Sequence, residues 1–516
     1  MIRLLESEGD VAMLRLETGR LGSSGYATGR EAITSAVRAG ARAIVLDMAA
    51  ATTLRASDIA LLLELAAQSL PKARLSLMNV APALMSALKD RSVDQIIPVY
   101  ATRERAFAAA EVKSAMLANT PAVVLCAGEG RRIAPLSTLT PKPMLDIMGR
   151  PVLEHILRHL GSFGVRDVVL NPGHLGPQVL DHFGMGRATG QSLFYLNEGC
   201  TNEGRWSAAP LGSASTLARW AEDNNGLQTD TIVMCGDALV DVDLVAMMAC
   251  HRAHDADITI AAQSVAESDV HKYGIMVHGE AGRVLTFQEK PSREEARSKL
   301  ANTGIYILSP RVTGFLKERQ GADIATDLLP AVLASGGRLQ IFDEPFKWID
   351  IGCGRDYMAA WTAALEGRLP ELSPKAEMIK SGVWAEQGAK VARLGDIKGP
   401  AYLGAGAVIE RGATLRGPVV VGKDAVVESG SYVRNSILCP ATRAAEGSIV
   451  DGAIATGNWA VMHAFADGSQ QPRDPLPDVF PVGAGVDQHA LYTDVIDLDG
   501  ADAIRTSRGL QFAQAS

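Results

Sequence analysis

The chain has 516 residues, of which 47% are hydrophobic and 21% charged, and this composition predicts several soluble globular domains. The net charge of −8 argues against a general nucleic-acid surface, because binding to the phosphate backbone requires clustered lysine and arginine. The six cysteines form no Cys-x-x-Cys pair, which favours reduced thiols over a disulfide framework or structural zinc. No apolar stretch is long enough to span a bilayer, and the first ten residues include acids, so we expect a cytoplasmic protein without membrane contact.

Residues 1–112 alternate strand-like and helix-like patterns. Strands are predicted at VAMLRLE, at Ala43 to Met48 and at LSLMNV, and helices at Glu31 to Val37, at Ser57 to Gln68 and after Pro82. This pattern predicts a small α/β domain. It resembles a STAS domain, the fold of anti-sigma-factor antagonists.

In STAS domains the loop after the central strand typically reads Asp-Ser-Ser-Gly, and its second serine can be phosphorylated. The corresponding residues here are Arg55, Ala56, Ser57 and Asp58, so that only one serine remains. Ser57 also suits the N-cap of the following helix, and we favour this capping role over phosphorylation. The resemblance therefore implies a docking or regulatory module for a protein partner, with the phosphorylation switch lost.

A glycine-rich loop follows the apolar run Ala122 to Cys126, which is typical of a buried parallel strand. Gly128 and Gly130 lack a Cβ, so their backbone N–H groups can approach a phosphate closely. Arg132 and Lys142 add positive charges beside them. A Gly-x-Gly after a strand is equally compatible with a tight structural turn, so the added charges carry the phosphate-site hypothesis.

Strands and helices continue to alternate from Ala122 to about Gly367. A helix is predicted from Pro151 to Gly161. The predicted strands are Ala122 to Cys126, Asp167 to Asn171, Leu193 to Leu196, Thr231 to Cys235 and Ile258 to Gln263. The alternation predicts a doubly wound, mostly parallel α/β sheet of Rossmann-like type, with ligands at the carboxyl ends of its strands. Asp237 lies just past one strand, where a carboxylate suits Mg²⁺, although an isolated Gly-Asp is also typical of a turn.

The glycine-rich loop is similar to the signature of the sugar-1-phosphate nucleotidyltransferases, also called nucleotide-sugar pyrophosphorylases. Their Gly-x-Gly-x-Arg-x-x-Pro-Leu followed by Pro-Lys-Pro stands here as Gly128, Gly130, Arg132, Pro135, Leu136, Pro141, Lys142 and Pro143. The resemblance implies a nucleotidyltransferase domain at residues 120–367, with Arg132, Lys142 and Asp237 as catalytic residues. It also implies Mg²⁺ held by Asp237 and by Asp350 of the motif Trp-x-Asp-x-Gly.

The remaining motifs of this family occur in the same order. PLGSAS is similar to the segment that borders the nucleobase, which makes Gly212 the candidate base contact. The resemblance places four residues on the sugar-phosphate side of the pocket, namely Gly274, Glu289, Lys290 and Asn302. Taken alone, Glu289 and Lys290 are more typical of a solvated ion pair. The segment from Cys200 to Ala209 is expanded relative to the family, which leaves the base and sugar preferences open.

Residues 381–465 follow a linker at about 369–380 and have a period of six. Small or apolar residues recur at every sixth position from Ala401 to Ser431, and Leu, Ile or Val recurs from Leu403 to Val433. A hexapeptide β-helix produces such a period. It resembles the left-handed β-helix that often follows the catalytic domain in this family, and it implies a homo-oligomer. Acyl transfer, with His463 as the nearby histidine, is the less favoured alternative. Residues 466–516 are interpreted as a loosely ordered tail.

Two functions are compatible with these motifs. The first is an enzyme that joins a nucleoside triphosphate to a sugar 1-phosphate and releases pyrophosphate. GTP and mannose 1-phosphate are the expected pair, because the Pro-Lys-Pro-Met form and the appended β-helix resemble the mannose-1-phosphate guanylyltransferase-like branch. The second is a non-catalytic nucleotide or sugar-nucleotide sensor whose output is the STAS-like domain. The intact set of Arg132, Lys142, Asp237 and Asp350 favours the enzyme, since a sensor does not need every charged group of a transferase.

Overall fold

The computed structural model describes residues 1–134, 136–202, 204–316, 321–369, 372, 374–456, 459–462 and 479–481. His463 and most of the predicted tail lie outside these residues. No helix within this part of the chain is both long and apolar enough to cross a membrane. Successive parts of the chain build a four-stranded sheet, a nine-stranded sheet and a stack of short parallel strands.

The N-terminal sheet has the order β1-β2-β3-β4, and helices pack against it. β1 is antiparallel to β2, and β2, β3 and β4 are parallel. The strands are β1 Ile2–Glu8, β2 Val11–Leu16, β3 Ala43–Asp47 and β4 Arg74–Met78. The helices are α1 Gly22–Arg38, α2 Ala56–Ser69, α3 Pro82–Lys89, α4 Arg103–Ala108 and α5 Ala110–Met116. The alternation agrees with the predicted α/β unit, and its assignment as STAS-like stays a prediction.

The predicted capping role of Ser57 is wrong. Helix α2 begins at Ala56 with Arg55 as its N-cap residue, so Ser57 lies inside the first turn. The first turn is instead held by Asp58, whose Oδ2 accepts the backbone N–H of Arg55 at 2.9 Å. A capping side chain has to precede the helix to reach its free N–H groups, and Ser57 lies two residues after the N-cap position.

The central part of the chain contains fifteen strands and seven helices within the described residues. The first strands are β5 Ala122–Leu125, β6 Asp146–Ile147, β7 Arg150–Pro151, β8 Asp167–Leu170, β9 Ser192–Tyr195, β10 Gly199–Asn202, β11 Arg205–Ala208 and β12 Thr231–Cys235. The others are β13 Ala238–Val240, β14 Ile258–Ser264, β15 Gly274–His278, β16 Val284–Glu289, β17 Leu300–Leu308, β18 Leu339–Phe342 and β19 Trp348–Asp350. The helices are α6 Leu136–Leu139, α7 Val152–Ser162, α8 Gly176–Phe183, α9 Ser213–Asp223, α10 Leu244–Ala253, α11 Leu329–Ala334 and α12 Gly354–Leu365.

The large sheet is mixed. Its order is β16-β15-β17-β12-β5-β8-β9, with β14 pairing with β17 and β18. Strands β12, β5, β8 and β9 are mutually parallel, as the doubly wound prediction requires. Strand β17 is antiparallel to β12, β14 and β15, β16 is antiparallel to β15, and β18 is parallel to β14. Seven of the nine strands therefore run in one direction, as the prediction of a mostly parallel sheet requires, and β16 and β17 run against them. Only residues 279–283 join β15 to β16, which is too short for the crossover helix that parallel pairing needs.

The third part is a stack of parallel strands. Val383 pairs with Ala401 and Ala401 with Val419, so neighbouring strands are 18 residues apart, or three six-residue repeats. The strands are β20 Glu377–Lys380, β21 Val383–Ala385, β22 Lys390–Val391, β23 Ile397–Lys398, β24 Ala401–Leu403, β25 Val408–Ile409 and β26 Thr414–Val421. They continue with β27 Val426–Val427, β28 Tyr432–Leu438, β29 Arg443–Ala444, β30 Ile449–Asp451, β31 Ala453–Ala455, β32 Trp459–Met462 and β33 Val479–Pro481. At the two ends of this part, β20, β32 and β33 pair antiparallel, whereas the pairings between them are parallel.

The six-residue period predicted the buried positions of this stack. Every residue of the two predicted series, from Ala401 to Ser431 and from Leu403 to Val433, is buried. Strand β20 lies in the segment that was predicted as a linker, and it pairs antiparallel with β21 at the start of the stack. The left hand of the helix and its role in oligomerisation stay predictions.

One hydrophobic core joins the three parts of the chain. It includes Val45 of β3, Leu157 of α7, Trp361 of α12 and Tyr402 of β24. The rings of Trp361 and Tyr402 lie 5.1 Å apart. Burial of this continuous apolar surface fixes the three parts relative to one another.

Candidate active site

The glycine-rich loop begins where β5 ends, at the carboxyl edge of the large sheet. A Cβ added to Gly128 would have no heavy atom within 4 Å, so this position faces open space. Gly130 has φ +64, a conformation that L side chains rarely adopt, and it leads into a short 3-10 turn at Arg131–Ile133. The loop therefore leaves its backbone N–H groups accessible, as a phosphate cradle requires.

A cavity of about 260 Å³ lies over this loop. It brings together five of the predicted site residues, namely Gly128, Gly130, Arg132, Lys142 and Asp237. Arg131 and Gly352 also line the cavity, although sequence reasoning assigned them no role. Arg131 forms an ion pair with Glu129 at 2.5 Å, whereas the side chain of Arg132 is exposed at the cavity.

Lys142 connects the two predicted metal-binding aspartates. Its Nζ donates to Oδ2 of Asp237 at 2.6 Å and to Oδ1 of Asp350 at 3.3 Å. The lysine side chain is only 10% exposed, and those of Asp237 and Asp350 are 33% and 19% exposed. These three residues are far apart in sequence, and the fold places their charged groups in direct contact.

Two short strands hold the carboxylates in place. β13 follows Asp237 and is antiparallel to β19, so that Ala238 lies opposite Asp350. The backbone N–H groups of Gly352 and Cys353 then donate to the carboxylate of Asp356, at 3.1 and 3.0 Å. Helix α12 therefore starts directly after the Trp-x-Asp-x-Gly motif and limits its movement.

The ionisation of the lysine and of Asp350 is shifted by burial and by their mutual contacts. Burial opposes the charge of Lys142, but the carboxylates of Asp237 and Asp350 outweigh it and raise the pKa of the lysine. Burial raises the pKa of Asp350, with Asp237 adding to the shift and Lys142 opposing it. The lysine is therefore a permanent cation between two carboxylates.

The carboxylate pair is compatible with a magnesium site. The described residues contain no group of three or more His, Cys, Asp and Glu side chains arranged around a metal ion. Mg²⁺ in phosphate-transfer sites is bound by one or two carboxylates, with substrate phosphates and water completing its six oxygens. Asp237 lines the cavity, and Asp350, which does not line it, contacts the same lysine, so the chemistry of this pair fits the predicted ion.

The predicted sugar-phosphate residues lie on or directly after the neighbouring strands β15, β16 and β17. Gly274 of β15 pairs with Glu289 of β16, and Glu289 forms an ion pair with Lys290 at 2.9 Å. Asn302 lies on β17, where its Oδ1 accepts the N–H of Gly304 at 3.0 Å. None of these four predicted residues lines the cavity over the glycine-rich loop.

An aromatic contact connects that side to the carboxylates. Tyr273 precedes Gly274, and its ring lies 4.9 Å from the ring of Trp348. Trp348 is two residues before Asp350 in the same strand, β19. This ring contact therefore connects the strand of the predicted sugar-phosphate residue Gly274 to the strand that ends in Asp350.

Gly212, the predicted base contact, does not line the cavity. It has φ +101, and a Cβ on it would lie 2.5 Å from the carbonyl oxygen of Ala322, so only glycine fits there. The expanded segment before it is the hairpin of β10 and β11. The indole N–H of Trp206 in this hairpin donates to the carbonyl of Gly173 at 2.7 Å.

Sequence reasoning missed a buried polar cluster between the glycine-rich loop and Gly212. Glu198 is 2% exposed, Asn171 is 3% exposed and Thr216 is 1% exposed, and their side chains hydrogen-bond to one another. The one available signal was the asparagine at the end of the predicted strand Asp167 to Asn171, since polar residues at the carboxyl ends of parallel strands often serve a site.

Comparison with known proteins identifies the family. The family model described as nucleotidyl transferase matches residues 121–367. UTP–glucose-1-phosphate uridylyltransferase from Synechocystis is 35% identical over 55% of this chain and 73% of its own length. Mannose-1-phosphate guanylyltransferase from Mycobacterium tuberculosis is 29% identical over 52% of this chain and 71% of its own length. A solved structure of UDP-glucose pyrophosphorylase complexed with UDP-glucose aligns with a TM-score of 0.41 at 21% identity, over 48% of this chain and 99% of that one. With its glycine-rich loop, its paired aspartates and a relative of this identity and coverage, the chain belongs to the nucleotidyl transferase family.

Proposed function

We propose that this protein makes a nucleotide-sugar and pyrophosphate from a nucleoside triphosphate and a sugar 1-phosphate. The observation that carries the proposal is the contact of Lys142 with Asp237 and Asp350 at a cavity lined by the glycine-rich loop. The two relatives described above are named for reactions of this class. A sensor without catalysis would not need a lysine and two carboxylates held in one cluster.

The proposed reaction is an in-line displacement at phosphorus. An oxygen of the sugar 1-phosphate forms a bond to the α-phosphorus of the nucleoside triphosphate, and the bond from that phosphorus to the β-phosphate oxygen breaks. The electron pair leaves with pyrophosphate. The attacking oxygen is already an anion, so the protein needs no strong general base, and its task is to position two anions and stabilise the spreading charge.

Each charged residue has a place in this scheme. The backbone of Gly128 and Gly130 would hold the triphosphate, and Arg132 would stabilise the pyrophosphate leaving group. Lys142 would contact the α-phosphate and the phosphate of the sugar. Asp237 and Asp350 would hold Mg²⁺, which when bound would neutralise phosphate charge.

The lysine contact has a consequence for metal binding. In the described structure Lys142 occupies the space between the two carboxylates. Mg²⁺ held by both carboxylates would compete with Lys142 for their negative charge, and an ammonium group released from them would be available to substrate phosphates. Substrate binding and metal binding are expected to favour each other for this reason.

The base and sugar remain part of the proposal. The motif form predicts GTP and mannose 1-phosphate, the substrates in the name of the M. tuberculosis relative. UTP and glucose 1-phosphate are the second pair, because the Synechocystis relative is named for them. On the sugar side, we propose Gly274, Glu289, Lys290 and Asn302 as the contacts, and Gly212 as the base contact.

The test is pyrophosphate release by the full chain with Mg²⁺, over GTP, UTP, CTP, dTTP and ATP against a panel of sugar 1-phosphates. We expect turnover with at least one pair and its loss on chelation of the metal.

Asp237→Ala or Arg132→Ala should lower turnover by about 10²-fold or more, as removal of comparable electrostatic contacts does. Asp181→Ala, which removes an exposed aspartate of α8, is the matched control and should leave turnover unchanged. Nucleotide binding without turnover for any pair would favour the sensor, and normal turnover in folded Asp237→Ala would remove that residue from the mechanism.

A further inference from the structure

The buried carboxylate of Glu198 is surrounded by hydrogen-bond donors that belong to two different segments. Its Oε2 accepts the backbone N–H of Leu211 at 2.8 Å. Its Oε1 accepts the amide Nδ2 of Asn171 at 2.9 Å and the hydroxyl of Thr216. Glu198 has no lysine, arginine or histidine partner among the described residues, so these donors alone compensate for its burial.

Asn171 extends the cluster to the glycine-rich loop. Its Oδ1 accepts the backbone N–H of Cys126 at 2.6 Å, and Cys126 lines the cavity. The amide orientation is determined by these contacts, because the oxygen faces an N–H group and the nitrogen faces a carboxylate. One side chain therefore connects the start of the phosphate loop to Glu198.

Thr216 extends the cluster to the opposite segment. Its hydroxyl lies 3.0 Å from the carbonyl oxygen of Gly212, besides its contact with Glu198. Gly212 also packs closely against Ala322, so the Leu211–Gly212 peptide is held on both sides. Gly212 is the base contact of the proposed function.

The choice of a carboxylate at this position has a physical cost. An ionised group without a counter-charge is destabilised by burial unless donors replace its water, and an apolar side chain would fill the space without that cost. The carboxylate instead adds directional contacts, since three donors from these two segments converge on its two oxygens. The cluster is therefore better suited to setting positions than to adding stability.

We propose that Asn171, Glu198 and Thr216 form a polar brace that sets the separation between the phosphate loop at Cys126 and the base segment at Leu211–Gly212. The proposal rests on the proposed function and makes these three residues positioning residues for the nucleoside triphosphate. A nucleotide held at both ends of the brace has its α-phosphate placed by that separation, and a small misplacement of a reacting atom is costly in rate.

The brace should act on the nucleotide and not on the sugar 1-phosphate. Its three members contact Cys126, Leu211 and Gly212. The hydrogen bonds described for Gly274, Glu289 and Asn302 on the sugar side do not involve any member of the brace. Loss of the brace is therefore expected to raise the KM of the nucleoside triphosphate and to leave the KM of the sugar 1-phosphate unchanged.

The experiment compares two buried threonines of the same domain. Thr216→Val removes the hydroxyl that contacts Glu198 and Gly212. Thr259→Val removes an equally buried hydroxyl, 2.8 Å from the ring nitrogen Nδ1 of His251, outside the brace. For the pair that turns over, we expect Thr216→Val to raise the KM of the nucleoside triphosphate about tenfold, the equivalent of one charge-assisted hydrogen bond. The KM of the sugar 1-phosphate should stay within about twofold. Thr259→Val should leave both KM values unchanged, whatever its melting temperature.

Two further variants guard against a folding artefact. Thr216→Ser keeps the hydroxyl and should restore the KM of the nucleoside triphosphate, and the same defect in this variant would overturn the proposal. Glu198→Gln turns one carboxylate oxygen into a donor facing other donors, so it should raise the same KM. If Thr216→Val does not fold, the KM measurement on Glu198→Gln replaces it as the test of the brace. The double variant Thr216→Val, Glu198→Gln should be less than additive, because the residues share one cluster.

Direct binding separates this proposal from the proposed function. The dissociation constants of GTP and UTP are measured calorimetrically with Mg²⁺ for the wild type, Thr216→Val and Thr259→Val. Weaker binding in Thr216→Val alone, without turnover in any assay, would support the brace and reject the transferase. Turnover in the wild type with equal kinetics in the two valine variants would reject the brace and leave the transferase standing. Equal increases in both KM values would also overturn the brace.

Discussion

At the scale of single residues, charge balance decides what the cavity can bind. Lys142 lies against two acidic side chains, Asp237 and Asp350, and Arg132 supplies a further positive charge at the cavity. A triphosphate and a sugar phosphate bring several more negative charges, so the cavity needs additional cationic charge for both to bind together. This imbalance is the physical argument for a divalent ion in the proposed reaction.

The two loop glycines should respond differently to alanine. A methyl group on Gly128 meets open space, so Gly128→Ala should change the free energy of unfolding by less than about 0.5 kcal/mol. The methyl group would stand where phosphate oxygens approach, and the KM of the nucleoside triphosphate should rise about tenfold or more. Gly130→Ala should instead cost roughly 1 to 2 kcal/mol, because φ is +64 and its Cβ would lie 3.2 Å from the Cβ of Lys142.

Urea unfolding and steady-state kinetics on both variants check this prediction. Equal losses of stability would contradict it, and so would an unchanged KM in Gly128→Ala.

At the scale of elements, a buried aspartate organises the start of helix α2. The buried carboxylate of Asp58 accepts N–H groups of Arg20, Gly22 and Arg55 at 3.0, 3.2 and 2.9 Å. It thus ties the start of α2 to the segment before α1. Burial opposes the charge of Asp58, but its donors outweigh burial and lower its pKa. The residue after Ser57, and not Ser57 itself, organises this corner.

Asp58→Ala should therefore destabilise the protein and Ser57→Ala should not. The first change leaves three donors without an acceptor and should cost roughly 1 to 3 kcal/mol, whereas the second should stay within about 0.5 kcal/mol. A lowered carboxyl pKa contributes stability above the unfolded value near 3.9 that is lost as the pH falls. The difference between wild type and Asp58→Ala should accordingly shrink below about pH 4, as measured by urea unfolding. A cost in Ser57→Ala equal to that in Asp58→Ala would contradict this assignment.

At the scale of the whole molecule, Asp146 lies where the catalytic part meets the stacked strands. Its Oδ1 accepts the N–H of Gly149 at 3.0 Å, and its backbone carbonyl accepts the hydroxyl of Tyr357 at 2.8 Å. Tyr402 of the stack donates to Glu386 at 2.9 Å close by. Burial, with Glu386 adding to it, raises the pKa of Asp146 to about 7. Ionisation of this carboxyl group is therefore expected to destabilise the junction.

Asp146→Asn should stabilise the protein at alkaline pH. A raised carboxyl pKa contributes stability below the unfolded value near 3.9 that is lost as the pH rises through about 7. The amide stays neutral, so the melting temperature of the variant should exceed that of the wild type at pH 8 and approach it near pH 5. The three-unit displacement sets an upper limit of about 4 kcal/mol. Asp181→Asn, at an exposed site, is the control, and a difference that does not change with pH would contradict this role.

The sequence by itself determined the features that depend on local pattern. The period of six identified the buried positions from Ala401 to Val433, because each repeat places the same position inside. The order of the family motifs predicted a shared site for Gly128, Arg132, Lys142 and Asp237, and the fold brings these four residues to one cavity. Their spacing along the chain was sufficient because all of them follow strands of one parallel group at its carboxyl edge.

Only the tertiary structure decided how distant segments meet. The antiparallel course of β17, the lysine between two carboxylates and the brace of Asn171, Glu198 and Thr216 all join residues remote in sequence. No local periodicity encodes such contacts, since a buried polar residue is distinguished from an exposed one only by the partners that surround it. The capping of α2 likewise depended on where the chain enters the helix, which a motif position alone does not specify.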